Sequence, residues 1–245
     1  MSLTEPNKKF ISILHNRREI WNKKTNLRVC YKNWLKIIKP FVVEGETLEV
    51  GAGTGLTKDI WEGEIITSDI LETPWVDKIL DAQDIDLPES SFQNILGIDI
   101  IHHLKKPYSF FNESLKILSN GGKLILIEPW ITPISFIFYK LMHHEKIIFS
   151  HDYLKNSRNP WNGNMAVPNL IFSSKGKNFI EKYPDFEIEI MKKISFFDFQ
   201  ITGGFKSWSL VKNHGLYSFF LKMDQFLSFA MPFIGFRIII VLKKI

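Results

Sequence analysis

At 245 residues the chain is long enough for one sizeable domain and short for two, and its 45% hydrophobic and 23% charged content excludes a disordered protein. A formal net charge of +5 would suit nucleic acid, but residues 1–40 carry ten Lys/Arg against two acids, which leaves 21 Lys/Arg and 24 Asp/Glu elsewhere. Nucleic acid is therefore an unfavoured partner. The N-terminus lacks the pattern of a secretory signal and Cys30 is the single cysteine, so we expect a cytoplasmic protein.

The first 43 residues predict a helical N-terminal cover for a single domain that spans 1–245. Apolar positions recur at helical spacing through Leu27, Tyr31, Trp34, Leu35 and Ile38. A helix with a solvated basic face is the simpler interpretation of this segment. Contact with an anionic substrate or a membrane surface is the alternative.

Short strands alternate with helices over residues 44–130. Strands are predicted at 47–50 and 64–70, with a glycine turn and a helix to about Trp61 between them. A strand at 78–80, a loop, a strand at 93–98 and a helix at 108–118 follow, and Gly121 or Gly122 is expected to cap that helix. The run KLILIEP at 123–129 predicts a strand buried on both faces. This alternation indicates a parallel sheet with right-handed crossovers.

Residues 131–184 break this alternation and predict an insertion, because they are aromatic, rich in Pro, Asn and His, and without clean periodicity. Residues 185–245 resume regular structure. They predict the strand FEIEIMKKISFF, an apolar helical stretch and a last strand, FRIIIVLKK.

The turn after the first strand lies at the edge where open α/β sheets bind ligands. Its glycines, Gly51, Gly53 and Gly55, have the spacing GxGxG rather than the GxGxxG of dinucleotide sites, and no P-loop lysine follows. Glu49 precedes the turn by two residues, and its carboxylate would repel a phosphate but would suit an ammonium group. The residues therefore favour a phosphate-free, cationic ligand.

The segment LEVGAGTG resembles the first motif of class I S-adenosylmethionine (SAM)-dependent methyltransferases, in their small-molecule, type 11-like branch. Four further segments up to GGKLILIEP are similar to that family in order and spacing. The resemblance implies an α/β Rossmann-like methyltransferase fold with a seven-stranded, mostly parallel sheet, helices on both faces and a substrate cap after the fifth strand. It also implies SAM as cofactor and S-adenosyl-L-homocysteine as product.

The resemblance also implies roles for individual residues. Asp69 would accept hydrogen bonds from both ribose hydroxyls, Asp81 and Ala82 would hold the adenine, and Gly97 would lie beside the methionine moiety. The cofactor-binding residues implied are Glu49, Gly51, Ala52, Gly53, Gly55, Asp69, Ile70, Asp81, Ala82 and Gly97.

His102 and His103 follow the fourth strand, at the edge where the sulfonium would point. Methyl transfer needs a general base only if the acceptor loses a proton, and histidine is suited to that task near pH 7. We expect His103 or His102 to be catalytic, with oxygen slightly favoured as the acceptor atom. Alternatively, one of them packs or caps the next helix and the other is an exposed bystander.

A second polar cluster, His143–Glu145 with His151 and Asp152, lies in the insertion. Its spacing matches no recognised zinc motif, so we expect a surface cluster and no metal. Four residues of the insertion are candidates for the wall of the acceptor site: Trp130, Trp161, Asn162 and Asn164.

The preferred function is methyl transfer to a small-molecule acceptor. One alternative is a SAM-binding scaffold or sensor that has lost catalysis. Another rests on the apolar stretch 216–236, which Lys222, Asp224, Pro232 and Gly235 interrupt too often for a membrane span. This stretch predicts a helix packed on the sheet or, together with the basic N-terminal segment and the aromatic residues Phe136, Phe138 and Tyr139, an amphiphilic surface for a lipid-linked acceptor at the membrane.

Overall fold

The computed structural model describes residues 5–143, 145–151, 154 and 163–245. Seven strands form one sheet in the order β3-β2-β1-β4-β5-β7-β6, and only β7 runs antiparallel to its neighbours. The predicted α/β fold with a mostly parallel sheet is therefore confirmed. The strands are β1 (Thr47–Val50), β2 (Ile65–Asp69), β3 (Lys78–Ile79), β4 (Phe92–Ile98), β5 (Leu118–Pro129), β6 (Phe186–Ile194) and β7 (Arg237–Lys244).

Helices flank this sheet, and the predicted helical N-terminal segment forms two of them. The α-helices are α1 (Glu5–Lys23), α2 (Thr25–Ile38), α3 (Pro107–Ile117), α4 (Pro133–Met142), α5 (Val167–Phe172), α6 (Lys177–Lys182), α7 (Asp198–Thr202), α8 (His214–Phe226) and α9 (Met231–Ile234). Short 3-10 helices lie at Lys39–Phe41, Thr57–Asp59, Ser174–Gly176 and Leu227–Ala230. Within the described residues, no helix combines the length and the apolar character that crossing a membrane requires.

Helices cover both faces of the sheet, and successive side chains of its central strands point alternately to the two faces. In β5, Leu124 and Leu126 pack on one side with Phe111 of α3, while Ile125 and Ile127 pack on the other with Trp34 of α2. The apolar run KLILIEP is thus a two-sided buried strand, as predicted.

Two local predictions differ from the structure. The helix expected up to Trp61 is only the 3-10 turn Thr57–Asp59, because the three glycines of the turn have φ between 50° and 67° and leave few residues before Gly63. Helix α3 ends at Ile117 without a glycine cap, since β5 begins at Leu118. Gly121 does take the left-handed conformation, at φ 77°, but it does so in an irregular part of β5, opposite Phe92–Asn94.

Candidate functional site

A cavity of about 430 Å³ opens at the carboxyl ends of β1, β2 and β4, which is the edge predicted to bind a ligand. Its volume is within the usual range for small-molecule sites. Eight of the ten predicted cofactor residues line it: Glu49, Gly51, Ala52, Gly53, Asp69, Ile70, Asp81 and Ala82.

The other two predicted cofactor residues, Gly55 and Gly97, do not line this cavity. A Cβ atom on Gly55 would lie 2.5 Å from the Cβ of Trp75, so this glycine allows the loop after β2 to pack against the turn. A Cβ atom on Gly97 would lie 2.7 Å from Ile100. Both glycines therefore serve close packing beneath the cavity.

Glu49 occupies the end of β1 and is 4% exposed. One of its carboxylate oxygens accepts a hydrogen bond of 2.6 Å from the Thr57 hydroxyl. The other oxygen is buried and has no hydrogen-bond partner among the described residues. Burial raises the pKa of Glu49 to about 7, and the nearby Asp69 carboxylate acts in the same direction. A cationic group in the cavity would satisfy the unpartnered oxygen.

Asp69 ends β2 and joins two loops of the cavity wall. Its Oδ2 accepts the backbone N–H of Gly53 at 2.8 Å, and its Oδ1 accepts that of Leu71 at 2.9 Å. Burial raises the pKa of Asp69, although these backbone donors oppose the shift. The carboxylate also lines the cavity, where it can accept a hydrogen bond from a ligand hydroxyl.

Asp81 and Ala82 lie in the loop after β3. Asp81 Oδ1 accepts both the backbone N–H and the side-chain amide of Gln83, at 2.9 and 3.0 Å. Gln83 in turn accepts the backbone N–H of Lys106, so this loop is held against the start of α3.

Helix α1, part of the predicted helical N-terminal cover, lies over the cavity. Phe10, Ile13, Leu14 and Arg17 line the cavity wall at helical spacing. Arg18 fixes the helix there by donating to the backbone oxygens of the glycine turn and to Asp59. Periodicity alone cannot distinguish a stripe that faces a ligand from one that faces the core.

The two predicted catalytic histidines have different surroundings. His103 lines the cavity and its side chain is one-third exposed, whereas His102 is buried and does not line the cavity. His102 Nδ1 lies 2.7 Å from the carboxylate of Glu128, which also accepts the backbone N–H groups of Ile100 and Ile101. Burial alone would lower the pKa of His102, but the charges of Glu128 and Glu145 outweigh it and raise the pKa above its ordinary value.

Glu145 turns inward from the insertion to meet this pair. Its carboxylate oxygens lie 3.6 Å from His102 Nε2 and 3.7 Å from His103 Nε2, and its side chain is only 10% exposed. Glu145 is therefore not part of a surface cluster, contrary to the expectation for His143–Glu145. The ligand atoms of His102, His103 and Glu145 lie within 4.8 Å of one another, a distance that a metal ion could bridge, although the contact with Glu128 already gives His102 a partner without one.

A further acid of the cavity, Asp99, follows β4 with a left-handed backbone at φ 56°. Arg237, at the start of β7, donates to both of its carboxylate oxygens at 2.6 and 3.0 Å. Burial would raise the pKa of Asp99, but the charge of Arg237 outweighs it and lowers that pKa. Arg237 also lies over the rings of Trp34 and Phe199. No local motif predicts this pair, since its members are far apart in sequence.

The predicted wall residues of the insertion have mainly structural contacts. Asn164 is fully buried, bonds Ile148 through its side chain and donates its backbone N–H to the oxygen of His102. Trp130 is buried, and neither it nor Asn164 lines the cavity. The remaining predicted members of this region, Trp161, Asn162, His144 and Asp152, lie outside the described residues.

Comparison with known proteins gives a domain match over part of the chain and a shared fold. A family profile described as a methyltransferase domain matches residues 48–126. This segment runs from β1 into β5 and contains the glycine turn, Asp69 and both histidines. The comparison with curated proteins gives no match.

Solved structures share the fold at low sequence identity. A SAM-dependent methyltransferase from Archaeoglobus fulgidus gives a TM-score of 0.53 at 16% identity, covering 89% of this chain and 94% of that one. The Burkholderia thailandensis 1,6-didemethyltoxoflavin-N1-methyltransferase, solved with its acceptor and S-adenosylhomocysteine, gives 0.52 at 12% identity, covering 100% and 92%. The 4+2 cyclase SpnF gives 0.53 at 13% identity, covering 87% and 80%.

The cyclase is a reminder that the fold alone does not define a reaction. Residues 48–126 match a methyltransferase domain, and the chain shares the fold of class I SAM-dependent methyltransferases.

Proposed function

We propose that the protein transfers a methyl group from SAM to a small-molecule acceptor, with a hydroxyl oxygen favoured over nitrogen or carbon. The observation that carries this proposal is a cavity lined by the buried acid Glu49, the partly buried acid Asp69 and His103. The acids suit the polar groups of the cofactor. The imidazole suits removal of a proton from a hydroxyl near pH 7.

The two acids fit different groups of the cofactor. The unpartnered oxygen of Glu49 would receive the ammonium of the methionine moiety, because a buried carboxylate gains most from a charged donor. Asp69, which faces the cavity, would accept hydrogen bonds from the ribose hydroxyls. The other cofactor residues that we propose are Gly51, Ala52, Gly53, Ile70, Asp81 and Ala82, all of which line the cavity.

In the proposed reaction His103 accepts the proton that the acceptor hydroxyl loses. SAM supplies the methyl group, which passes from its sulfur to the acceptor oxygen and leaves S-adenosylhomocysteine. His103 would bond the hydroxyl before the transfer and take up its proton at an imidazole nitrogen as the oxygen–carbon bond forms. Glu145, beside that imidazole, would stabilise the resulting positive charge.

His102 has the contacts of a positioning residue rather than of a base. Glu128 is fully buried, so its carboxylate fixes the His102 ring through Nδ1. The other ring nitrogen then faces Glu145 and holds this acid near His103. These contacts support the proposal that His102 acts indirectly and that His103 touches the acceptor.

The proposal is tested with methyl-labelled SAM and a panel of phenols, sugars and amines. We expect label to enter hydroxyl compounds, and His103→Ala to lower kcat by about 10²–10⁴-fold while the Kd for SAM stays unchanged. His102→Gln should lower kcat less and alter its pH profile, since it disturbs Glu145 and leaves His103 in place.

Lys105→Ala is the matched control, because Lys105 lines the same cavity near His103. It should keep most of the turnover. Full activity of His103→Ala would remove His103 as the base, and transfer to amines alone would overturn the preference for oxygen. Loss of activity in a chelator, restored by added metal, would assign His102, His103 and Glu145 to a metal instead.

A lipid-linked acceptor is a second candidate within the same reaction. Glu145 lines the cavity only three residues after α4, whose outer face is apolar. An acceptor with a polar head and an apolar chain could thus reach His103 while its chain lies against α4. Transfer of label into a detergent-solubilised lipid fraction, absent with water-soluble compounds, is the result expected for this candidate.

A further inference from the structure

Helix α4 turns its apolar side outward. Ile134, Ile137, Phe138 and Leu141 recur at the spacing of one helical face, and all four are exposed. The opposite face is more polar and is buried. Its Ser135 donates to the backbone oxygen of Trp130 at 2.8 Å, and its Tyr139 donates to that of Phe236, also at 2.8 Å. These hydrogen bonds fix the helix with its apolar side in contact with solvent.

A second apolar segment adjoins this helix. The stretch from Met231 to Phe236 packs against α4, with the rings of Phe138 and Tyr139 edge-on to Phe236 at 5.1 and 5.4 Å. Phe226 ends α8, Phe229 lies in the 3-10 turn that follows and Phe233 lies in α9, and each is at least 66% exposed. We call the combined surface the apolar face; it consists of Ile134, Ile137, Phe138, Leu141, Phe226, Phe229 and Phe233. A face of this kind indicates a binding partner.

The charges around the apolar face have one sign. Among the described residues of 130–151 and 212–236, the exposed Lys, Arg, Asp and Glu side chains are all lysines: Lys140, Lys146, Lys212 and Lys222. The two acids of these segments turn inward. Glu145 meets the histidine pair, and Asp224 accepts the backbone N–H groups of Phe197 and Asp198 at 2.9–3.1 Å.

We propose that the apolar face docks the protein on the surface of an anionic phospholipid bilayer. In such a bilayer, phosphate head groups lie above apolar acyl chains. The lysines would contact the head groups, and the aromatic and aliphatic side chains between them would enter the acyl layer. A second copy of the chain would bring lysines against lysines and is disfavoured for that reason. The proposal requires neither SAM nor an acceptor, since it rests only on exposed groups outside the cavity.

The test is cosedimentation of the full chain with vesicles. We expect binding to vesicles of phosphatidylcholine and phosphatidylglycerol that weakens at high salt, and little binding to phosphatidylcholine alone. The double variant Leu141→Ser with Phe233→Ser removes two side chains that are 76% and 66% exposed. It should lower the partition coefficient by about tenfold or more.

The matched control is Ile79→Ser with Ile245→Ser, at positions outside the apolar face that are 64% and 69% exposed. This control should bind vesicles as the unchanged protein does. Both double variants should keep their Kd for SAM in solution, which separates loss of docking from damage to the cavity.

Two outcomes would overturn the proposal. One is protein that remains in the supernatant with anionic vesicles at low salt. The other is concentration-dependent dimerisation that Leu141→Ser with Phe233→Ser abolishes, which would assign the apolar face to a second copy of the chain. Docking without methyl transfer would leave this inference standing while the proposed function failed.

Discussion

The cavity and the apolar face place their side chains in opposite ways. At the cavity, Glu49 and Asp69 are carboxylates drawn into a largely buried site, whereas on the apolar face Leu141 and Phe233 are hydrophobic groups held in solvent. Each arrangement is unfavourable for the free protein and becomes favourable with a complementary partner. The contrast indicates that the two regions recognise different things: a cationic nucleoside in one case and an amphiphilic surface in the other.

The largest effect is expected when Asp69, the acid that we assign to the ribose, is removed from the cavity. Asp69→Ala should weaken SAM binding by about 1.5–3 kcal/mol, because hydrogen bonds to a charged group are lost. Calorimetry measures the change. Asp69→Asn keeps an oxygen acceptor for Gly53 and should lose less, while Asp86→Ala changes an exposed acid outside the cavity and should lose nothing. An unchanged affinity in a folded Asp69→Ala variant would contradict the assignment.

The cofactor-binding part of the cavity could be predicted from the sequence because its residues are close together in the chain. Glu49, the glycine turn and Asp69 lie within 21 residues of one another, and local spacing is sufficient to predict such a cluster. The parallel sheet and the edge at which a ligand would bind followed from the alternation of strands and helices. The glycine spacing could not show that Gly55 and Gly97 serve packing, because a glycine is chosen equally for a ligand and for a neighbouring side chain.

The rest of the site depends on contacts between distant parts of the chain. Arg237 meets Asp99, Glu145 meets His103, and Arg18 of α1 meets the glycine turn, all across more than 30 residues of sequence. The sequence offered Phe136, Phe138 and Tyr139 as part of an amphiphilic surface. In the structure Phe136 and Phe138 are exposed, but Tyr139 is buried, and its hydrogen bond, with that of Ser135, fixes which side of α4 faces solvent.

Lowering the pH should weaken SAM binding in the cavity, because it protonates Glu49. The pKa of about 7 means that this carboxyl is largely ionised at pH 8 and largely protonated at pH 6. An ammonium ligand binds the ionised form, so SAM should bind about tenfold more weakly at pH 6 than at pH 8. Glu49→Gln should bind weakly at both values. A Kd for the unchanged protein that is independent of pH would show that Glu49 does not hold the ammonium.

Glu49→Gln should weaken SAM binding but stabilise the ligand-free protein. The pKa of Glu49 in the folded protein lies above its usual value of 4.5, so the ligand-free protein binds an extra proton and loses stability as pH rises from about 4.5 to 7. Glu49→Gln should therefore raise the free energy of unfolding at pH 8 and leave it nearly unchanged at pH 5. Denaturant titrations at the two pH values give both numbers.

The smallest change in the free energy of unfolding is expected for substitutions on the apolar face. Leu141→Ser and Phe233→Ser should each change the free energy of unfolding by less than about 0.5 kcal/mol, because these side chains are exposed in the folded state as well. Phe111→Ser is the reference, since Phe111 is fully buried among Phe172, Phe179 and Tyr183 and its loss must destabilise the core. If Leu141→Ser and Phe233→Ser destabilise the protein as Phe111→Ser does, their side chains pack within the molecule in solution. The apolar face would then be part of the core rather than a surface held ready for a membrane. A negligible change in stability together with the loss of vesicle binding is the combination that assigns these side chains to a partner.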